Sequence, residues 1–280
     1  MKKEKYLIIT GSTGYIGSNF VESFNDKDFN IIYTKRTTKQ NYKYYDLKNK
    51  VFNLSNLFDS EIIFLHLATY FSKDKEDQEK IIHSNELFGK QVFDELNKYN
   101  LKKVIYTNSM YLYYDDSSVR NLPYTLTKEN FSNFLRINTD LNSTLYEEIF
   151  LDNTFGKLDK RPKVIPLIMK SIVENTESPV LNKETYINLV NVEDVIERLK
   201  ISTTSNEQGK TSFISYKSIN LDSIYNFLKN YRITRKNEVE LLKYNDNSYI
   251  NDYPEIEHKN IKLKKMSNSL IEELKNYENK

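Results

Sequence analysis

The 280-residue sequence has no cysteine, five prolines and only six glycines. Without cysteine, the chain has neither disulfide bonds nor thiolate chemistry. Its three histidines, His66, His83 and His258, do not follow the spacing of metal ligands, and we expect no metal site. No apolar run after the basic N-terminal residues is long enough for a signal peptide or a membrane span, which predicts a cytoplasmic protein.

Clustered charge of one sign is also missing. Lysine and arginine together number 41 against 39 aspartates and glutamates, which gives a formal net charge of +2. Acidic and basic residues are mixed along the chain, whereas a nucleic-acid surface needs clustered basic charge. The sequence therefore predicts a protein that contacts neither nucleic acid nor a membrane.

Three of the six glycines lie close together, at Gly11, Gly14 and Gly17. The apolar residues 6–10 before them predict a strand, and residues 15–24 have the spacing of a helix. A strand, a glycine-rich turn and a helix in this order are typical of a dinucleotide site, because the glycines let the pyrophosphate approach the backbone and the helix start. A purely structural turn is the alternative. The predicted cofactor contacts of this loop are Gly11, Ser12, Thr13, Gly14, Tyr15, Ile16 and Gly17.

Predicted strands alternate with predicted helices through the first half of the chain, which indicates a parallel sheet with helices on both faces. We therefore expect an α/β fold, with a doubly wound Rossmann sheet and a smaller C-terminal lobe. Further strands are predicted at residues 30–34, 62–68 and 103–108, and helices at 75–97, 123–137, 164–174, 192–199, 222–229 and 268–277. The dinucleotide-binding domain would comprise residues 1–158 and the substrate-binding lobe 159–280, with 185–202 returning to the first domain.

Tyr124 and Lys128 open the predicted helix 123–137 and lie four residues apart, on one face of the helix. A nearby ammonium favours phenolate and lowers the pKa of a tyrosine from about 10, which makes Tyr124 a usable general acid. Ser109 follows the predicted strand 103–108, at the sheet edge where ligands bind in such folds. Its hydroxyl could hold a substrate carbonyl. An exposed helix face is the alternative explanation of the Tyr–Lys pair taken alone.

In this order of motifs the chain resembles the extended short-chain dehydrogenase/reductases, and among them the nucleotide-sugar epimerases, dehydratases and reductases. The glycine loop matches the family's TGxxGxxG pattern, and Ser109, Tyr124 and Lys128 fall on its catalytic Ser, Tyr and Lys. Asn85, with Gly89, is similar to the helix motif whose asparagine supports the active site. The resemblance covers nearly the whole chain, and it implies catalytic roles for these four polar residues.

The resemblance also implies further contacts with cofactor and substrate. Asp46 and Leu47 look like the acidic pair that touches adenine, and residues 66–69 are similar to the family's HLAA segment beside the cofactor. Residues 153–156 look like the NVYG turn that meets the nicotinamide and the sugar diphosphate. The implied additional cofactor contacts are Asp46, Leu47, Leu67, Ala68, Thr69, Tyr124 and Lys128. The implied substrate contacts are Tyr70, Ser109, Met110, Tyr111, Tyr124 and Asn153, with core packing as the alternative for Tyr111.

Three departures from the family pattern bear on the shape of the sugar pocket, one of which is the missing glycine after the predicted strand 211–215. Ser109 and Tyr124 are only fifteen residues apart, and Tyr114 stands where a glycine is usual. The short loop is closest to the reductases that make 6-deoxy or 3,6-dideoxy sugars from 4-keto precursors. The family resemblance further implies a homodimer through the helices 75–97 and 123–137.

The second predicted strand indicates which dinucleotide is preferred. NAD-binding sites usually carry Asp or Glu near the end of this strand, to hold the ribose 2′-hydroxyl. Here the strand runs into Lys35 and Arg36 with no carboxylate, and a guanidinium can hold a phosphate with two hydrogen bonds. We predict NADP(H) in preference to NAD(H), bound through these two residues. A basic surface loop is the alternative.

The motifs predict NADPH-dependent reduction of a carbonyl, and the family resemblance implies that the reduced carbon is C4 of a nucleotide-linked sugar. In this scheme Tyr124 protonates the alkoxide, Ser109 orients the carbonyl, Lys128 holds the nicotinamide ribose, and Asn85 supports a proton path. Two alternatives stay open at this point. One is a nucleotide-sugar 4-epimerase that keeps its cofactor bound, and the other is a non-catalytic NADP-binding regulator or scaffold.

Overall fold

The computed structural model describes residues 3–38, 41–72, 74–114, 116–157, 159–212, 217–246, 257–258 and 265–279. The chain forms two compact units. The first comprises Met1–Phe150 with Arg198–Thr211, and the second comprises Leu151–Glu197 with Ser212–Lys280. The sequence had placed the boundary at residue 158 and the returning segment at 185–202. The assignment of one unit to dinucleotide and the other to substrate stays a prediction.

Strands and helices follow one another along the chain, with consecutive strands at several places, among them residues 29–46, 145–155 and 186–191. Up to residue 151 they are β1 (Lys5–Thr10), α1 (Tyr15–Ser23), β2 (Phe29–Arg36), β3 (Tyr42–Asp46), β4 (Glu61–His66), α2 (Gln78–Ile82), α3 (Phe88–Leu96), β5 (Leu101–Ser109), α4 (Ser117–Arg120), α5 (Pro123–Leu141) and β6 (Leu145–Leu151). Beyond it they are β7 (Asn153–Phe155), α6 (Val164–Glu174), β8 (Tyr186–Ile187), β9 (Leu189–Asn191), α7 (Val192–Thr204), β10 (Gly209–Ser212), β11 (Lys217–Asn220), α8 (Leu221–Thr234), β12 (Tyr244–Asp246), β13 (Glu257–His258) and α9 (Met266–Glu278).

A mostly parallel sheet forms the centre of the first unit, in the strand order β10-β6-β5-β4-β1-β2-β3. β1 pairs in parallel with β2 and with β4, and β4 pairs in parallel with β5. The central strands are apolar at nearly every position, with Leu7, Ile8 and Ile9 fully buried, because helices cover both faces. The doubly wound Rossmann sheet predicted from the sequence is therefore confirmed.

The edge strand β3 differs from β1, β2, β4 and β5, which pair in parallel with one another. It pairs antiparallel with β2, from Ile32 opposite Asp46 to Arg36 opposite Tyr42. The sequence had not predicted this strand. Only a short connection separates β2 from β3, and such a connection permits an antiparallel hairpin but is too short for a parallel crossover.

The second unit packs helices around two small sheets. β7 pairs in parallel with β9, and β8, β11 and β12 form an antiparallel sheet. Its core is a cluster of apolar side chains, among them Phe155, Ile168, Phe227, Leu228, Leu270 and Leu274. These residues come from β7, α6, α8 and α9, so the predicted helices of the C-terminal half bury their apolar faces together.

The helix predicted at residues 75–97 is interrupted by a π-helical turn, His83–Leu87, between α2 and α3. A π-helical turn holds an extra residue and is often found at functional sites. Here the turn carries the buried Ser84 and Asn85. Across the described residues, no helix has the length and apolar character needed to cross a membrane.

A buried ion-pair network anchors the outer strands of the first unit. Lys103 Nζ on β5 lies 2.7 Å from a carboxylate oxygen of Glu147 on β6 and also donates to the carbonyl of Ser202 on α7. Arg198 on α7 pairs with the same carboxylate and with Glu207. Because an unpaired buried charge is costly, the loss of one member would leave the other charges of this network uncompensated.

Lys103→Met should lower the free energy of unfolding by about 3 kcal/mol, because it removes one partner of a buried carboxylate. Lys170→Met removes one partner of the exposed pair Lys170–Glu174, whose closest atoms are 3.8 Å apart, and should change stability by less than about 0.5 kcal/mol. Urea unfolding of both variants measures the difference. Equal stabilities would contradict the account of the network.

Candidate active site

The glycine loop after β1 is shaped by close approaches between backbone segments. Gly11 has φ +72°, and a Cβ added to it would lie 2.6 Å from the Ala68 nitrogen and 2.7 Å from the Leu67 carbonyl carbon. A Cβ on Gly17 would collide with the Gly11 carbonyl oxygen. The two positions therefore admit no side chain, and the loop packs directly against the residues that follow β4.

Helix α1 begins directly at this loop. Gly14 is its N-cap residue, accepts the N–H of Ser18, and provides no side-chain cap for the N–H groups of the first turn. Thr13 and Gly14, which lead into the helix, are exposed, so the approach to the helix start is open. Backbone N–H groups and the positive end of a helix are what a phosphate binds. The shape of this loop is compatible with the diphosphate of a dinucleotide, and the cofactor contacts of residues 11–17 stay a prediction.

Four parallel strands end at the edge where this cradle lies. Thr10 is level with His66 on β4, and His66 is level with Tyr106 on β5. The Thr10 hydroxyl lies 2.9 Å from His66 Nδ1 and 3.4 Å from the Ala68 nitrogen. These bonds hold the segment Leu67–Thr69 beside the glycine loop, in the place that the sequence predicted for a cofactor contact.

Ser109 ends β5 and forms the turn that leads away from it. Its Oγ accepts the N–H of Tyr111 at 3.2 Å, which makes Ser109 the N-cap of the one-turn helix Met110–Tyr113. Because the oxygen serves as acceptor there, the hydroxyl proton is available to donate to a carbonyl. Met110 is fully buried, so it packs in the core rather than facing a substrate, and Tyr111 is half-buried.

Tyr124 stands in the first turn of α5, behind Pro123 at the favourable first helical position. Its half-buried ring packs edge-on against Phe71, with centroids 5.0 Å apart, and against Tyr111, with centroids 6.2 Å apart. These two rings fix the direction of the phenol. The Lys128 ammonium lies 6.0 Å from the centre of the Tyr124 ring, so the two side chains share one face of the helix.

Lys128 is a buried cation. Its Nζ donates to the Thr107 carbonyl at 2.7 Å and lies over the Tyr106 ring, 4.8 Å from the centroid. Burial lowers the pKa of Lys128 from 10.5 to about 7, and the negative charge of Glu148 opposes that shift. A lysine that titrates near neutrality can change its charge state during a reaction, which is typical of functional rather than structural lysines.

Asn85 joins the π-helical turn to the loop after β4 and to α5. Its Oδ1 accepts the N–H of Tyr70 at 2.6 Å and the hydroxyl of Thr69 at 3.2 Å, and its Nδ2 lies 3.4 Å from the hydroxyl of Thr127. Tyr70 in turn donates its own hydroxyl to Asp77 at 3.0 Å. In this structure Asn85 therefore orders the loop beside the site. A role in a proton path stays a prediction.

His66 is packed rather than poised for catalysis. It is fully buried, and its ring contacts Phe64, Phe88, Tyr106 and Phe131. Burial, with the nearby Lys128 charge, lowers the pKa of His66 from 6.5 to about 3. The ring is therefore neutral throughout the physiological range, and it serves as a hydrogen-bonding core residue.

The structure does not bring every predicted residue to this edge. β3 runs antiparallel, so Asp46 lies opposite Ile32, four positions before the end of β2, and its carboxylate accepts the N–H groups of Lys48 and Lys50. Leu47 beside it is exposed. The turn that follows β3 explains this acidic pair without a cofactor, and the adenine contact of Asp46 and Leu47 stays a prediction.

Lys35 and Arg36, the two cations predicted to hold the cofactor, lie at the carboxyl end of β2, unlike Asp46 and Leu47. The register of Ile9 opposite Tyr33 puts Lys35 and Arg36 just beyond the level of Thr10, next to the cradle. The exposed Lys35 ammonium lies 5.8 Å from the centre of the Tyr45 ring. The backbone of Arg36 ends the strand, and its side chain lies outside the described residues.

Asn153 belongs to the second unit. It begins β7, and its backbone and side-chain N–H groups donate to the carboxylate of Asp152 at 2.9 and 2.8 Å. Further along this segment Gly156 has φ +107°, and a Cβ there would lie 3.3 Å from the Asn191 side chain. The turn is thus held by contacts within its own unit, and the substrate contact of Asn153 stays a prediction.

Reasoning from sequence missed one polar residue of the site, Glu148. It is buried on β6, a strand that was not predicted, and its carboxylate accepts Asn108 Nδ2 at 2.6 Å. The signal was present in the segment Leu145–Leu151, an apolar strand interrupted by two glutamates. In the described part of the chain, no three His, Cys, Asp or Glu side chains group together as metal ligands.

This sheet edge is built as in NAD(P)-dependent enzymes of the oxidoreductase type, and the comparisons with known proteins agree. The sequence model of the "NAD dependent epimerase/dehydratase family" matches residues 7–215. The chain belongs to that family, which confirms the resemblance seen in its sequence.

Several relatives within this group have names or solved structures. The chain is 21% identical over 238 residues to CDP-abequose synthase of Salmonella muenchen, covering 80% of each chain. A solved UDP-N-acetylglucosamine 4-epimerase from Methanobrevibacter ruminantium M1 matches with 19% identity, 98% coverage of both chains and a TM-score of 0.70. UDP-glucuronic acid 4-epimerase from Bacillus cereus, solved with NAD, matches at 14% identity, 98% and 99% coverage and a TM-score of 0.70. At these identities the solved structures show the fold alone.

Gly11→Ala should weaken dinucleotide binding at least tenfold, or about 1.4 kcal/mol, because the new Cβ displaces the backbone at Ala68. Gly209→Ala is the matched control. Gly209 also has a positive φ, +96°, but no atom lies within 4 Å of an added Cβ. The control should lose about 1 kcal/mol of stability and keep its affinity for the dinucleotide. Calorimetric titration with NADPH and NADH measures both variants, and equal affinities would contradict the cradle.

Lys128→Met should stabilise the protein. Holding the charged lysine in the core costs roughly 5 kcal/mol, from the fall of its pKa to about 7, while the unpaired Thr107 carbonyl in the variant costs about 2 kcal/mol. Between pH 7 and 10.5 the unfolded chain holds this proton and the folded chain releases it, so wild-type stability rises with pH across that window. The advantage of the variant should therefore be largest below pH 7 and shrink towards pH 10.5.

Urea unfolding at several pH values compares Lys128→Met with Lys98→Met, a change at an exposed position after α3. The control should show no pH-dependent difference from wild type. A Lys128→Met protein that is less stable than wild type at pH 6 would contradict this account, because the buried charge would then not destabilise the fold.

Proposed function

We propose that the protein is an NADPH-dependent reductase of a nucleotide-linked 4-keto sugar of the 6-deoxy or 3,6-dideoxy type. The proposal is supported by the common position of Ser109, Tyr124 and Lys128 where β5 ends and α5 begins, at the carboxyl edge of the sheet. The Tyr124 ring lies 6.0 Å from a buried ammonium, and the Ser109 turn follows the same strand whose Thr107 carbonyl receives that ammonium. This is the arrangement that reduction of a carbonyl requires.

The chemistry divides between the cofactor and the chain. Bound NADPH would supply a hydride to the keto carbon. The Ser109 hydroxyl donates a hydrogen bond to the carbonyl oxygen, and the Tyr124 hydroxyl transfers its proton to that oxygen as the alkoxide develops, which completes a secondary alcohol. The positive charge of Lys128 stabilises the phenolate that Tyr124 leaves behind. Contact between Lys128 and the nicotinamide ribose is part of the proposal.

The preference for NADPH rests on the end of β2. Lys35 and Arg36 lie at the edge beside the cradle, and the strand residues there include no carboxylate that would favour a ribose 2′-hydroxyl. A consumed NADPH implies net reduction, since an epimerase recycles the cofactor that it keeps bound. The similarity to a CDP-abequose synthase supports a nucleotide-linked sugar as the substrate, and epimerisation with a retained cofactor is the alternative.

The substrate class is tested by following nicotinamide absorbance with a panel of CDP-, dTDP-, GDP- and UDP-linked 4-keto sugars. Oxidation of NADPH, faster than that of NADH, with at least one of them is the expected result. Interconversion of C4 epimers without net NADPH oxidation, by a protein that retains its cofactor on purification, would establish the epimerase instead. NADPH binding without turnover of any sugar would establish a non-catalytic binding protein.

Tyr124→Phe should reduce turnover roughly 10²- to 10⁴-fold and leave NADPH affinity unchanged, because only the proton donor is lost. Tyr99→Phe is the matched control. Tyr99 is also half-buried and packs edge-on against Phe58, but it lies before β5, at the opposite edge of the sheet. Steady-state kinetics of both variants decide the assignment, and near-normal turnover by Tyr124→Phe would refute it.

A further inference from the structure

Strand β6 carries two consecutive buried glutamates, and they face opposite sides of the sheet. Neighbouring residues of a strand alternate between its faces. Glu147 binds Lys103 and Arg198, whose charges compensate its own. Glu148 is turned to the other side, where its carboxylate receives Asn108 Nδ2 at 2.6 Å. The first glutamate belongs to the network that holds α7, so the second requires a separate explanation.

Glu148 reaches the active site through Asn108. With Nδ2 donated to the carboxylate, the amide of Asn108 must turn its Oδ1 the other way, and this oxygen accepts the N–H of Ser109 at 2.8 Å. All three residues are buried, with Glu148 only 1% exposed. A carboxylate accepts hydrogen bonds only, so it permits a single orientation of the amide. The chain of two bonds therefore fixes the backbone at the N-cap serine.

The same carboxylate acts on Lys128. Glu148 is the negative charge that raises the pKa of Lys128 against the effect of burial. The other titratable groups around that ammonium are His66 on β4, Tyr106 on β5 and Tyr124 on α5. Burial lowers the pKa of His66 and raises the pKa of Tyr106, so both groups are neutral near pH 7 and neither supplies a negative charge there.

Glu148 has titratable neighbours of its own. Tyr146 on the same strand and Tyr106 on β5 interact with it electrostatically, and Lys210 on β10 lowers its pKa. Burial raises the pKa of Glu148, and hydrogen bonds from Ser132 on α5 and from Asn108 partly offset that rise. The Lys210 ammonium also donates to the hydroxyl of Tyr113, at the end of the turn that Ser109 begins. Residues of β6 and β10 therefore both stabilise this turn, Glu148 through Asn108 and Lys210 through Tyr113.

We propose that Glu148 is a positioning residue of this active site, which orients Ser109 through Asn108 and supplies the counter-charge of the Lys128 ammonium. The inference rests on the proposed function only for the roles of Ser109 and Lys128 towards a substrate. The contacts and the electrostatic coupling are properties of the folded chain, and they are tested without any substrate.

The coupling is measured by NMR titration of protein labelled with ¹³C at the lysine ε carbons. The Lys128 signal is assigned by its loss in Lys128→Arg, and it should titrate near pH 7 in the wild type. Glu148→Gln keeps an acceptor for Asn108 but removes the charge, and should lower this midpoint by about one pH unit. An unchanged midpoint would overturn the proposal, since Glu148 would then carry no charge that Lys128 senses.

Glu147→Gln is the matched control, because it is the same change at the adjacent and equally buried position. It should destabilise the protein while the Lys128 midpoint stays within a few tenths of a pH unit. A shift as large as that of Glu148→Gln would overturn the proposal, because any loss of packing would then suffice. If Glu147→Gln does not fold, Asn108→Ala replaces it, since that variant retains both carboxylates. If Glu148→Gln does not fold, Glu148→Asp should hold the midpoint near 7, and a large fall would contradict the proposal.

Turnover gives the second readout, for the reductase reaction. At pH 7 Glu148→Gln should lose roughly fivefold in kcat, as the charged fraction of Lys128 falls from about a half to about a tenth, and the alkaline limb of its pH profile should move to lower pH. Asn108→Ala should lose roughly 10- to 100-fold in kcat, with KM and the Lys128 midpoint unchanged, because Ser109 is misplaced. Full activity of Asn108→Ala would remove the link to Ser109.

The failure of this proposal and that of the proposed function give different results. If no 4-keto sugar is reduced but the Lys128 midpoint falls in Glu148→Gln alone, the reductase assignment is wrong and the coupling stands. If sugars are reduced and the midpoint does not move, the reductase stands and the role of Glu148 is refuted.

Discussion

Lys128 places an ammonium group inside the first unit, at the carboxyl end of the sheet, and the candidate site is organised around it. The group is held by the Thr107 carbonyl and by the face of the Tyr106 ring, and burial brings its pKa to about 7. A core lysine of this kind opposes folding, because the charged form loses its hydration. The ammonium lies 6.0 Å from the centre of the Tyr124 ring, where its charge can act on the phenol.

Aromatic side chains build the low-dielectric surroundings that give this charge its effect. The sequence contains 22 tyrosines and 15 phenylalanines. The rings of Phe131 and Tyr106 contact His66, which burial keeps neutral, and the rings of Phe71 and Tyr111 pack edge-on against Tyr124. Charge interactions are stronger where water is excluded, so Lys128 and Glu148 act on their neighbours more strongly than a surface pair would.

Periodicity and turn residues in the sequence were sufficient to predict those elements whose conformation depends on neighbouring residues. The glycine loop, the buried strands β1, β4 and β5, and helix α5 with its leading proline were all predicted, because each depends on periodicity or on turn chemistry within a few residues. β3 and β6 were missed. β3 is a polar edge hairpin without an apolar run, and β6 carries two charges whose partners, Asn108, Lys103 and Arg198, are distant in sequence. The π-helical turn at Asn85 was equally hidden, since its extra residue is set by packing against α5 and the loop after β4.

The central claim is that this edge of the sheet transfers a hydride from a nicotinamide to a sugar carbon and a proton from Tyr124 to the sugar oxygen. The most direct measurement uses NADPH deuterated at the transferred position, together with a keto-sugar nucleotide, and locates the label by NMR of the product. The account predicts one deuterium on the carbinol carbon and equimolar NADP⁺. A product without deuterium, or label that remains on the dinucleotide while sugar epimers interconvert, would contradict it.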